Sequence, residues 1–73
     1  MRRDKKILII DGMSCDHCKN AVEKAVSQLP GILLATVDLK AKTLTVEFTS
    51  GQLTLDEIKA AVTEEGYEVV GSK

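Results

Sequence analysis

The chain has 73 residues, 44% hydrophobic and 29% charged, so we expect one small globular domain with a modest core. Its formal net charge of −1 argues against nucleic-acid binding, which needs an excess of basic residues to displace counterions. One Tyr, one Phe and no Trp leave little aromatic surface on which unpaired bases could stack.

The N-terminal stretch MRRDKK is charged, and the apolar run that follows it covers only residues 7–10. A signal peptide needs an apolar region of roughly 7–15 residues, and a membrane span needs about 20. We therefore predict a cytoplasmic protein without membrane insertion, whose thiols are mostly reduced. The start at Met1 and the short tails favour a standalone protein over a domain cut from a longer transporter.

The first predicted elements are a strand, a loop and a helix. Residues 5–10 (KKILII) are β-branched and apolar, as in a buried strand, and Gly12 interrupts a loop over 11–16. From about 16 to 29 the apolar residues recur at the spacing of one helix face. That predicted inward face consists of Ala21, Val22, Ala25, Val26 and Leu29.

The limits of this helix also follow from residue type. Ser14 or Asp16 can cap its first amides, because short oxygen-bearing side chains accept hydrogen bonds there. At the other end Pro30 and Gly31 stop the helix.

A hairpin is predicted next, with strands at 32–39 and 43–49 joined by a short turn at 40–42. In the first strand the residues expected to face inward are Ala35, Val37 and Leu39. The second strand alternates, with one apolar face made of Leu44, Val46 and Phe48. Its other face, expected to be wet, consists of Thr43, Thr45, Glu47 and Thr49.

A second helix and a last strand complete the chain. Thr54 and Glu57 match the capping box that opens a helix. The predicted helix covers about 55–65, Gly66 follows as a left-handed cap, and 67–70 form a short strand. The inward face of the helix is expected to consist of Leu55, Ile58, Ala61 and Val62.

The order β-α-β-β-α-β predicts an α+β, ferredoxin-like sandwich. In this arrangement two helices cover one face of a four-stranded antiparallel sheet. We expect residues 1–73 to form a single domain of this kind. The fold alone does not assign a function.

The chemistry is concentrated in GMSCDHC, residues 12–18, which holds both cysteines of the chain. Cys18 should lie near the buried edge of the first helix turn, and Cys15 should be more exposed in the loop before it. Free amides and the helix dipole at this position favour thiolate over thiol, whereas Asp16 opposes ionisation.

Two thiolates suit a soft ion with few ligands, such as copper(I). A structural zinc site requires four ligands. His17 lies between the two cysteines in the sequence, and this crowding makes the geometry unfavourable for zinc. An open pair of thiols also lets an incoming thiolate add before the first pair leaves. A cytosolic CxxC motif at the start of a helix is also typical of thioredoxin-like redox proteins.

The stretch GMSCDHC resembles the GMxCxxC signature of the heavy-metal-associated (HMA) domain family. That family includes soluble bacterial copper chaperones and the N-terminal domains of copper-transporting P-type ATPases. The resemblance covers essentially the whole chain, including LPGI before the second strand and EEGYEV near the end.

The resemblance implies that Cys15 and Cys18 are copper(I) ligands. It also implies that Met13 packs under the metal loop and supports it, and that Tyr67 lies close to that loop. Ser14 stands where many members have threonine and zinc-handling relatives often have an acidic residue, which favours copper. Position 17 is variable in the family, so no ligand role is carried over to His17.

The function implied is a cytosolic metallochaperone, not an enzyme, that passes copper(I) by thiolate exchange to the metal-binding domain of a P-type ATPase. A homodimer bridged by metal is also compatible with two exposed thiolates on each chain. One alternative is an HMA protein for mercury, zinc or cadmium. The other, a thiol–disulfide oxidoreductase, is disfavoured because no aromatic residue precedes Cys15 and no proline separates the cysteines.

Overall fold

In the computed structural model, which describes residues 3–13 and 15–73, four strands and two helices alternate in the predicted β-α-β-β-α-β order. Their bounds are β1 Arg3–Asp11, α1 Asp16–Ser27, β2 Ile32–Asp38, β3 Thr43–Thr49, α2 Leu55–Glu64 and β4 Glu68–Ser72. The strands form one sheet in the order β2-β3-β1-β4, and every neighbouring pair is antiparallel. The predicted ferredoxin-like α+β fold is confirmed. No helix in the described part of the chain is long and apolar enough to cross a membrane.

The core lies between the inward face of the sheet and the two helices, which also contact each other. Apolar residues at alternate strand positions and on one face of each helix supply it, as the sequence periodicity predicts. Its fully buried members are Leu8, Ile10, Leu44, Val46, Val22, Val26, Ile58 and Val62. The predicted wet face of β3 is wrong at Thr43, which is only 5% exposed. Thr43 lies between Ile9 of β1 and Asp38 of β2 in the sheet.

Several element limits differ from the predicted ones. Strand β1 is longer than 5–10, because its charged start pairs with the end of β3, where Arg3 lies opposite Thr49. Helix α1 ends at Ser27, two residues short of the predicted limit, as the chain turns toward the proline. The prediction that Asp16 caps α1 is wrong, because Asp16 is its first helical residue and Cys15 occupies the N-cap position. The alternative cap, Ser14, lies outside the described residues.

The hairpin turn between β2 and β3 is hydrogen-bonded to β1, the strand that leads into the cysteine loop. One Asp38 carboxylate oxygen accepts hydrogen bonds from the backbone amides of Lys40 and Ala41, at 3.0 and 3.2 Å. Lys42 closes the turn with a φ of 57°, and its carbonyl accepts from the Ile10 amide at 2.8 Å. The turn therefore holds the end of β1, which leads into the cysteine loop.

A carboxylate holds helix α1 against the edge of the sheet. The Glu23 Oε2 atom accepts a hydrogen bond from the Val37 amide of strand β2 at 2.7 Å. β2 is an edge strand, so an outward amide there has no neighbouring strand to bind. The contact satisfies that amide and fixes the position of the helix that carries Cys18.

Helix α2 begins with the predicted capping box. The Thr54 hydroxyl accepts from the Glu57 amide at 3.3 Å, and the Glu57 carboxylate accepts from the Thr54 amide at 3.1 Å. Gly66, with a φ of 92°, follows the helix and takes the left-handed conformation expected there. Both ends of α2 are therefore determined by local sequence.

We expect Thr54→Ala to lower the free energy of unfolding by about 1 kcal/mol, because it removes the side-chain acceptor of the cap. Thr63→Ala is the matched control. The Thr63 hydroxyl donates to the Lys59 carbonyl inside α2 and caps nothing, so its loss should be near neutral. Urea unfolding followed by circular dichroism measures both variants. Equal losses in the two variants would contradict the capping role of Thr54.

Candidate metal-binding site

The cysteine loop begins where β1 ends at Asp11 and ends at the N-terminus of α1. Gly12 turns the chain out of the strand with a φ of 96°. Met13 then points inward, is 3% exposed and belongs to the core. Met13 therefore anchors the loop to the core on one side of the cysteines.

The two sulfur atoms lie side by side at the end of this loop. The Cys15 and Cys18 Sγ atoms are 3.0 Å apart and share a hydrogen bond, and neither cysteine is part of a disulfide. Cys15 is exposed, whereas Cys18 is half-buried and packs against the core, as predicted. A soft metal ion displaces thiol protons when it binds, so the two neighbouring sulfurs are candidate ligands for one ion.

Both cysteines belong to the first turn of helix α1. Cys15 is its N-cap residue, and its carbonyl accepts the first helical hydrogen bond, from the Lys19 amide at 3.1 Å. The Cys15 side chain makes no capping hydrogen bond. The first backbone amides of α1 and the positive end of its dipole therefore lie beside the sulfurs.

Tyr67 reaches the sulfur pair from the other side of the loop. It is half-buried against the core, and its hydroxyl donates a hydrogen bond to the Cys18 sulfur. That hydrogen bond, together with burial and the negative charges of Cys18, Cys15 and Glu65, raises the pKa of Tyr67 to about 12. The structure thus places Tyr67 next to a candidate ligand.

His17 does not join the sulfurs in the structure. Its side chain is exposed, as expected for a variable surface position. Across residues 3–13 and 15–73, no three His, Cys, Asp or Glu side chains come together as a potential metal site. The geometry therefore brings together two of the predicted site residues as candidate ligands, with Met13 and Tyr67 around them.

The sequence pattern does not predict the contact between Gly12 and Tyr67. Gly12 is predicted only as a loop residue, yet a methyl group added to it would lie 3.4 Å from the Tyr67 ring. The contact joins residues that are distant in the sequence. The pairing register of β1 with β4 is the signal that could have found it, because that register places Asp11 opposite Glu68 and so Gly12 beside Tyr67.

Comparison with known proteins supports the resemblance in GMSCDHC. Residues 7–68 match the model of the heavy-metal-associated domain family. The chain belongs to this family. The matched segment contains the cysteine loop, both helices and the hairpin, so the HMA domain accounts for nearly all of the described fold.

Relatives of this HMA domain carry names from copper trafficking. The copper chaperone CopZ of Staphylococcus epidermidis is 42% identical over 65 residues, which are 89% of this chain and 96% of that protein. A solved CopZ metallochaperone is 36% identical with a TM-score of 0.90, covering 92% of this chain and 100% of its own. The N-terminal domain of a potential copper-translocating P-type ATPase from Bacillus subtilis, solved in the Cu(I)-loaded state, is 30% identical. Its TM-score is 0.89, with 99% of this chain and 92% of that domain covered.

Proposed function

We propose that this HMA domain is a copper(I) metallochaperone whose ligands are Cys15 and Cys18. The observation that carries the proposal is the pair of cysteine sulfurs 3.0 Å apart at the start of α1, one of them on an exposed residue. Copper(I) is soft and accepts few sulfur ligands, so two thiolates suffice to hold it. The similarity to proteins named as copper chaperones supports the choice of ion.

The proposed activity is ligand exchange. Because Cys15 is exposed, a thiolate of a partner can reach the ion and add to it as a third sulfur. One of the original sulfurs then leaves, a second partner thiolate binds, and the ion moves without being released to water. No covalent bond of the protein forms or breaks and no electron is transferred, so the protein is a carrier and not an enzyme.

The partner we propose is the metal-binding domain of a copper-transporting P-type ATPase. Support comes from the ATPase domain with a TM-score of 0.89, because a donor and an acceptor with the same fold can hold the ion in similar surroundings. If donor and acceptor bind the ion with similar affinity, the free-energy change of transfer is close to zero and the transfer is reversible. We place this exchange in the cytoplasm, where a reducing environment keeps thiols available. Residues 1–73 act in it as one domain.

Two copies of the chain can also share copper(I), since each presents two sulfurs at its surface. In that case the metal bridges a homodimer, and no protein interface beyond the cysteine loops is needed. Light scattering of the protein with and without one equivalent of copper(I) distinguishes the bridged dimer from a monomeric carrier.

The experiment that tests the proposed function is an anaerobic titration with copper(I) against a coloured copper(I) chelator. We expect saturation near one ion per chain and little displacement by excess zinc(II). Preferential binding of zinc(II), cadmium(II) or mercury(II) by the same thiols would overturn the copper assignment. Rapid reduction of insulin disulfides by the protein with an external reductant would instead indicate an oxidoreductase.

A further inference from the structure

Gly12 lies directly against the ring of Tyr67. Strands β1 and β4 pair antiparallel with Asp11 opposite Glu68, so the next residues along the two strands are Gly12 and Tyr67. A Cβ atom built on Gly12 would lie 3.4 Å from the Tyr67 Cδ1 atom. A Cβ atom at this position would be in van der Waals contact with the ring, so a longer side chain would compete with the ring for the same space.

The same ring carries the hydroxyl that contacts the site. Tyr67 packs against the core, and its hydroxyl donates to the Cys18 sulfur. A tyrosine ring is rigid beyond its two side-chain torsions, so the position of the ring fixes the position of the hydroxyl. Any displacement of the ring at Gly12 is therefore transmitted to the sulfur.

We propose that Gly12 is a positioning residue for the metal site, because the absence of a side chain there lets the Tyr67 ring lie over the strand end and present its hydroxyl to the Cys18 sulfur. The inference rests on the proposed function for its effect on copper. Groups that hydrogen-bond to metal ligands orient those ligands and tune their donor strength, and their loss typically lowers metal affinity by about 10–100-fold.

The positive φ of Gly12 also favours glycine there, independently of the contact with the Tyr67 ring. A control substitution can separate these two effects. The φ of 96° at Gly12 is one that most residues rarely adopt. Gly51 has almost the same φ, 94°, but nothing lies within 4 Å of a Cβ built on it. A substitution at Gly51 therefore measures the backbone strain alone, and the same substitution at Gly12 measures strain together with crowding of the ring.

The direct test uses tyrosine fluorescence of the metal-free protein. The chain has one Tyr and no Trp, so all of this emission comes from Tyr67. Asparagine tolerates the left-handed backbone, which makes Gly12→Asn and Gly51→Asn a suitable pair. We expect Gly12→Asn to lose the quenching that the bond to the sulfur produces, and Gly51→Asn to retain it. Gly12→Ala, whose methyl only touches the ring, should give a smaller change in the same direction and serves if the larger substitution does not fold.

The second arm measures copper(I) affinity in a double-mutant cycle with Tyr67→Phe, which keeps the ring and removes the hydroxyl. Gly12→Asn should weaken binding about tenfold or more in the parent chain and hardly at all in the Tyr67→Phe background. Equal losses in both backgrounds, emission unchanged by Gly12→Asn, or the same change in Gly51→Asn would overturn the inference. If the parent chain takes up no copper(I), the proposed function fails, and the emission of the metal-free variants still decides the role of Gly12.

Discussion

Replacing both Cys15 and Cys18 with serine should abolish high-affinity copper(I) binding. Serine hydroxyls stay protonated at neutral pH and are hard donors, so they cannot replace thiolates for a soft ion. Binding free energies at thiolate-rich sites in zinc-finger peptides reach about 10–16 kcal/mol, which shows how much such ligands contribute. The measurement is the anaerobic chelator competition applied to the parent and the double variant. Tight uptake by the double variant would place the site elsewhere in the molecule.

The single variant Cys15→Ser shows whether lost binding reflects lost ligands or lost structure. Cys15 is the N-cap of α1 and its side chain makes no capping bond, whereas serine is among the best N-cap residues. We therefore expect metal-free Cys15→Ser to gain about 0.5–1 kcal/mol in free energy of unfolding while it loses copper(I) affinity. Cys18→Ser, inside the first helix turn, is the matched control and should show no such gain. A Cys15→Ser variant less stable than this control would contradict the capping geometry.

Met13→Ala should destabilise the protein by about 2–5 kcal/mol, because Met13 is 3% exposed and its removal leaves a cavity in the core. A domain of this length is typically stable by only about 4–11 kcal/mol, so the loss takes a large share of the total. Met13 also anchors the cysteine loop, and copper(I) affinity should fall together with stability. Thermal unfolding and chelator competition of the same variant measure the two effects.

Met13→Leu distinguishes packing from ligation. Leucine conserves volume, so the substitution should cost less than about 1.5 kcal/mol and leave copper(I) affinity close to that of the parent. The expectation follows from the position of Met13 within the core. A tenfold loss of affinity in the stable leucine variant would instead show that the thioether contacts the ion.

The parts of the fold that the sequence predicts correctly depend on local signals. The capping box at Thr54 and Glu57 determines where α2 begins, and both hydrogen bonds are present. The alternation in 43–49 gives the bounds of β3 and its buried face. The relative exposure of Cys15 and Cys18 follows in the same way from the position of each on the first helix turn.

The parts that the sequence does not predict depend on tertiary pairing. Thr43 is only 5% exposed, although the alternation within β3 places it on the face expected to be exposed. The hydrogen bond from the Val37 amide to the Glu23 carboxylate depends on how α1 packs against β2, which local sequence does not specify. The approach of Tyr67 to Gly12 likewise depends on the register of β1 with β4, which local sequence does not specify.

The central claim is that Cys15 and Cys18 hold copper(I) through their sulfur atoms. X-ray absorption at the copper edge, on protein loaded anaerobically with one equivalent of copper(I), tests it most directly. We predict an edge typical of copper(I) and a first coordination shell made of sulfur, with that signal lost in the Cys15→Ser, Cys18→Ser double variant. A first shell dominated by nitrogen or oxygen, or a spectrum that the double variant leaves unchanged, would contradict the account.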